Sequence, residues 1–173
     1  MSKPIGVFYE HPEWFKPLFK MLEKRGLPYE KIHAGYHRFN PLEEPQYSLV
    51  INRVSSSSYL RGHTQAIFYT NDFIGYLEEN GVRVINGSRA TEIETSKAHQ
   101  LVLFRKLGLK FPKAIVVNHT SQLVGAAKEI GFPVAVKPNI GGSGAGIIRF
   151  DSMETLEEAV ENNLVDLGID RLH

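Results

Sequence analysis

The chain has 173 residues, 42% of them hydrophobic and 23% charged, enough apolar material for one large core or two small ones. Its 20 Lys and Arg against 19 Asp and Glu leave a net charge of +1 with no dense basic block, so nucleic acid is not the expected partner. There is no cysteine, which removes disulfides, thiolate metal sites and cysteine nucleophiles. No apolar run approaches the roughly 20 residues of a membrane span. The opening MSKPIGVFYEHPEW has neither a long apolar stretch nor a small-residue cleavage site. A cytoplasmic location without a membrane partner is therefore the default expectation.

Residues 5–9 read as a strand. Trp14, Leu18, Phe19 and Leu22 then recur at helical spacing, with Gly26 as the stop. Pro17 fits that helix only in its first turn, where a missing N–H costs little. Residues 29–33 and 48–52 read as strands, the serine run 55–58 as a loop, residues 65–79 as a helix ended by Gly81, and 83–86 as a fourth strand. This rhythm implies right-handed crossovers and a parallel sheet with helices on both faces. No G-x-G-x-x-G follows the first strand, so the dinucleotide fingerprint is absent.

After a turn at Asn86-Gly87-Ser88 the pattern changes. A helix is expected over 96–107, a strand over 113–117, and a helix over 120–130. Strands over 133–137 and 146–151 then flank a glycine loop as in an antiparallel hairpin. Ser152 is placed to cap a last helix, with Glu154 in its first turn.

The loop after Lys137 carries Gly141, Gly142, Gly144 and Gly146, with Ser143 and Ala145 between them. Glycine opens the positive-φ region and leaves backbone N–H groups free to turn toward an anion. Lys137 adds a point charge at the edge. The plainer reading is a flexible hairpin tip with a surface lysine. The P-loop pattern fails, because there the lysine follows the glycines and a helix comes next. The kinase glycine loop fails too: Gly142 and Gly144 fit, but the last position holds Ile147.

IETSKAHQLVLFRKLGLKFPKAIVV followed by GFPVAVKPNIGGSGAGI resembles the opening of an ATP-grasp domain. Upstream, VINRVSSSSY and FYTNDFIGYLEENGVRVIN resemble the N-terminal domain of the RimK-type, α-L-glutamate ligase-like branch. The resemblance covers most of the chain from Ser48 to Asp151. It implies an α/β fold: a pre-ATP-grasp, Rossmann-like parallel-sheet domain over 1–87, then the α+β first subdomain of an ATP-grasp fold over 88–173, truncated. It also implies that Lys97 and Lys137 contact ATP phosphates, with Gly141, Gly142, Ser143, Gly144, Ala145 and Gly146 as a flap over them. Such enzymes join a carboxylate to an amine through an acyl phosphate and release ADP. Mg²⁺ is implied as well, but no metal ligands are expected within residues 1–173; they belong downstream of His173, and the chain alone is expected to be inactive. The alternative is a nucleotide-binding regulatory module without chemistry. Substrate identity stays open, as does a homo-oligomer.

Arg53, Ser55, Tyr59 and Arg61 lie on the loop after the third strand, where open α/β sheets receive ligands. The two arginines suit a substrate carboxylate through paired hydrogen bonds; a solvated loop is the competing reading. By the resemblance Arg53 is the stronger candidate. His33 and His37 are four apart, but Ala34-Gly35 favours a turn over a metal-binding helix. Phe8, Trp14, Phe15, Phe68, Tyr69 and Phe73 read as core. His99 reads as helix surface, and Glu154, Glu157, Glu158, Glu161, Asp166 and Asp170 as a solvated helix face and its exit.

Overall fold

The computed structural model describes residues 3–169, in two compact units, one ending at Thr95 and the other beginning at Ser96.

In the first unit, β1 (Ile5–Tyr9), β2 (Tyr29–His33), β3 (Leu49–Asn52) and β4 (Val84–Ile85) form one sheet in the order β2-β1-β3-β4, every pairing parallel. Neighbouring residues of β1 point to opposite faces, and the two faces find different helices. Val7 packs with Phe15, Phe19 and Leu22 beside α1 (Lys16–Lys24). Phe8 packs with Ile32, Val50, Phe73 and Leu77 beside α2 (Thr64–Glu79). Pro17 sits in the first turn of α1, as its missing N–H requires. The expected parallel α/β layout is thus observed, with strand and helix limits shifted by a residue or two. Trp14 departs from expectation: it is exposed and stacks on His11 at 4.0 Å, whereas Phe15 is buried as expected.

Beyond the turn expected at Asn86-Gly87-Ser88, where no element was read before residue 96, the chain forms α3 (Ser88–Glu94). Side chains from distant elements hold it. The Glu78 carboxylate accepts from the Ser88 N–H at 3.1 Å and from the Ser88 hydroxyl. Asn52 Nδ2 donates to Thr91 Oγ1 at 3.1 Å, and the Ser56 hydroxyl donates to Glu94 at 2.7 Å. These bonds fasten α3 to the first unit, so the compact units divide after Thr95 rather than at the expected residue 87.

The second unit contains α4 (Lys97–Lys106), α5 (Leu123–Ile130), the antiparallel pair β5 (Val134–Val136) and β6 (Ile148–Phe150), and α6 (Met153–Glu161). Its core joins Leu123, Ala127, Val134, Phe150, Leu156 and Ala159. The expected hairpin is present. The expected strand over 113–117 is absent: Lys113 to Val116 are exposed, and among the described residues no strand pairs with them. Apolar sequence suits a strand, but a strand exists only where its N–H and C=O groups have a ladder partner.

Candidate functional site

The hairpin's inner face, Val134, Val136, Ile148 and Phe150, belongs to the second unit's core. The alternation turns Ala135, Lys137 and Arg149 outward, so Lys137 is exposed because of the strand's period. Pro138 behind it is buried.

The loop that follows is built from two successive turns. Ala145 N–H donates to the Gly142 carbonyl at 3.1 Å around Ser143 (φ 56°) and Gly144 (φ 75°). Two positive φ values at the centre define a type I′ turn, the usual hairpin reversal. Ile147 N–H donates to the Gly144 carbonyl at 3.4 Å, with Gly146 at φ 71°. A Cβ on Gly146 would lie 2.6 Å from Pro138 Cγ, so this glycine is required by its conformation and by close packing on the loop's own root. Gly146→Ala is expected to destabilise the second unit by about 1–3 kcal/mol, read by urea unfolding. An unchanged midpoint would show that the loop lacks this conformation.

Lys97 reaches the same root. Ser96 caps α4, its Oγ accepting the His99 N–H at 3.2 Å. The Lys97 ammonium donates to the Asn139 carbonyl at 3.3 Å, across a separation of 42 residues. Asn139 follows Lys137 by two positions, so both predicted lysines stand at the base of one glycine loop. A polyphosphate suits this surrounding: the Lys97 ammonium at the loop root, the exposed Lys137 two positions before it, and small positive-φ residues that let an anion approach the backbone.

In the first unit, Arg53 leaves the carboxyl end of β3. Its N–H donates to the Phe8 carbonyl at 2.7 Å and its exposed guanidinium lies 5.3 Å from the Phe15 ring centre. Among the described residues no carboxylate pairs with it. Ser55 accepts the Ser57 N–H at 3.2 Å, and Tyr59 is half-buried on the same 3-10 turn, Ser56–Arg61. Arg61 has an internal partner instead: its Nε donates to both Glu10 carboxylate oxygens at 2.8 and 3.0 Å, and a terminal nitrogen donates there too. Glu10 is 1% exposed and also faces His63 Nδ1 at 2.6 Å. Burial is the largest influence on its carboxyl and acts upward. The hydrogen bonds and charges of Arg61 and His63 outweigh it, and the pKa lies below the ordinary value.

His37 meets Tyr69 Oη at 3.0 Å, and burial lowers its pKa. His33 accepts the Gly35 N–H at 3.2 Å in the turn that Ala34-Gly35 implied. Among the described residues no three carboxylate or imidazole side chains converge on a point, so they do not by themselves furnish a Mg²⁺ site. Of the acidic residues read as a solvated face, Asp170 lies outside the described residues, as does His173. No helix among the described residues is long and apolar enough to cross a membrane.

Residues 96–167 match the family model of the carbamoyl-phosphate synthase L chain ATP-binding domain. The carbamoyl phosphate synthase large chain of Archaeoglobus fulgidus is 32% identical over 99 residues, 54% of this chain and 9% of that protein. A probable alpha-L-glutamate ligase of a Marinomonas species is 28% identical over 125 residues, 72% of this chain and 39% of that protein. Among solved structures, a RimK domain ATP-grasp protein of Sphaerobacter thermophilus superposes with a TM-score of 0.70 at 14% identity, covering 93% of this chain and 58% of that one. The chain therefore spans well under half the length of these two sequence relatives. By sequence, residues 96–167 are thus similar to that ATP-binding domain, and by fold the chain is similar to a RimK domain ATP-grasp protein.

Proposed function

We propose that these residues are the leading part of an ATP-dependent carboxylate–amine ligase that releases ADP. The contact between the Lys97 ammonium and the Asn139 carbonyl at the root of the glycine loop carries this reading. In it, Lys97 and Lys137 neutralise the triphosphate, while the flap of Gly141, Gly142, Ser143, Gly144, Ala145 and Gly146 covers it from above, the Ala145 N–H being held within the flap by the Gly142 carbonyl. ATP supplies the phosphoryl group that converts a carboxylate into an acyl phosphate. The protein's share of phosphoryl transfer is positioning and charge compensation, and fixed ammonium and amide donors suit both tasks. Phosphate is a far better leaving group than oxide, so an amine can then displace it.

For the carboxylate substrate, Arg53 is the proposed anchor, with Ser55 and Tyr59 beside it. Arg61 stays on Glu10 and shapes that loop. The glutamate ligase relative supports an amino acid or peptide as substrate class.

The test uses the full natural polypeptide that contains these residues, with Mg²⁺-ATP and a panel of carboxylate–amine pairs. Release of phosphate and ADP that depends on both partners is expected. ATP binding with no turnover across the panel would contradict the ligase reading and favour a nucleotide-binding regulatory module.

A further inference from the structure

One residue from the hairpin closes the amino end of α4. Asn139 Oδ1 accepts the Ala98 N–H at 3.0 Å and the Ser96 hydroxyl at 3.3 Å. The Asn139 carbonyl accepts the Lys97 N–H and the Lys97 ammonium, both at 3.3 Å. With the Ser96 Oγ taking the His99 N–H, the first three amides of α4 all have acceptors from the chain itself. They are therefore not spare donors for a phosphate, which must be met by the lysines and by the loop.

We propose that Asn139 is a positioning residue: it locks the Lys97 ammonium and the root of the glycine loop into one arrangement, so that both meet the same polyphosphate. This rests on the nucleotide reading above, though neither Lys97 nor Lys137 by itself implies it. Asparagine suits the post. Its amide oxygen has two lone pairs and receives two donors here, and it brings no charge that would repel an anion. The loop is then pinned twice at its root, by Asn139 on α4 and by Gly146 against Pro138. A pinned loop loses less conformational freedom when it closes, and affinity rises accordingly.

The experiment uses the whole chain and two probes, metal-free tripolyphosphate and ATP, titrated by calorimetry, with amide hydrogen exchange at Ala98 as the structural readout. Asn139→Ala is expected to bind tripolyphosphate about tenfold more weakly while remaining folded, with faster exchange at Ala98. Asn139→Asp keeps both acceptors, so Ala98 stays protected, but its charge weakens anion binding. A merely structural role would lower stability and leave the affinity of the folded protein unchanged.

The inference is overturned if Lys137→Ala loses binding while Asn139→Ala binds as tightly as the unaltered chain; the nucleotide reading then survives alone. Failure of the unaltered chain to bind either probe overturns both. Should Asn139→Ala not fold, the neutral Asn139→Ser decides: faster Ala98 exchange with weakened tripolyphosphate binding supports the role, and unaltered affinity refutes it.

Discussion

Replacing Lys137 by alanine is expected to weaken ATP binding by about 10- to 100-fold, the loss of one charge-assisted contact to phosphate. The fold should hardly notice. Lys137 is exposed at the end of β5, and the hairpin's stability comes from Val134, Val136, Ile148 and Phe150 on the opposite face. Unfolding free energies within about 0.5 kcal/mol of the unaltered protein are expected, as for other exposed substitutions. The contrast between lost affinity and kept stability is the signature of a binding residue. Lys137→Arg should recover only part of the affinity, because a planar fork does not reproduce a compact ammonium. Equal ATP affinity in Lys137→Ala, measured by calorimetry, would remove this residue from the site.

The second large effect lies in the first unit. Arg61→Ala removes the main counter-charge of the Glu10 carboxylate, which is 1% exposed in the intact protein. Removing one member of a buried pair costs about 3–5 kcal/mol, and the lower end applies because a quarter of the Arg61 side chain meets solvent. The pH dependence follows from the depressed Glu10 pKa. Its contribution is fully present above the ordinary value of 4.5 and drains away as pH falls through the lower folded value. In Arg61→Ala burial dominates and the carboxyl protonates sooner, so acid unfolding should begin at higher pH. Urea unfolding of both proteins from neutral to acid pH checks this. Parallel curves would mean that Glu10 does not carry the acid sensitivity.

What could be read from the sequence follows a physical division. Local periodicity was enough for β1, α1, α2 and the β5–β6 hairpin, because each buries a face whose spacing is written in consecutive residues. It was not enough for α3, which is held by Glu78, Asn52 and Ser56 from other elements. It misled at residues 113–117, where apolar sequence lacks a ladder partner. In the candidate site, Lys137 and the glycines stand out in the sequence as a lysine-edged glycine loop, whereas Lys97 is singled out only by the resemblance. Asn139 does not stand out: its contacts with α4 span 41 to 43 residues, and nothing in PNIGG announces them. Glu10 had a weak signal, an acid directly after an apolar strand at the ligand-facing end of a parallel sheet. Its pairing with Arg61, 51 residues on, needed the fold. That pairing also separates the two arginines, leaving Arg53, the stronger candidate by the resemblance, as the exposed one.

The central claim is that Lys97, Lys137 and the glycine loop close on one triphosphate. Amide chemical-shift mapping of the ¹⁵N-labelled chain during ATP titration tests it most directly. Saturable shifts concentrated at residues 96–98 and 137–147 are predicted, with the Lys137→Ala protein showing them only at about 10- to 100-fold higher ATP. Saturable shifts that leave both segments untouched, or no shifts at all, would contradict it.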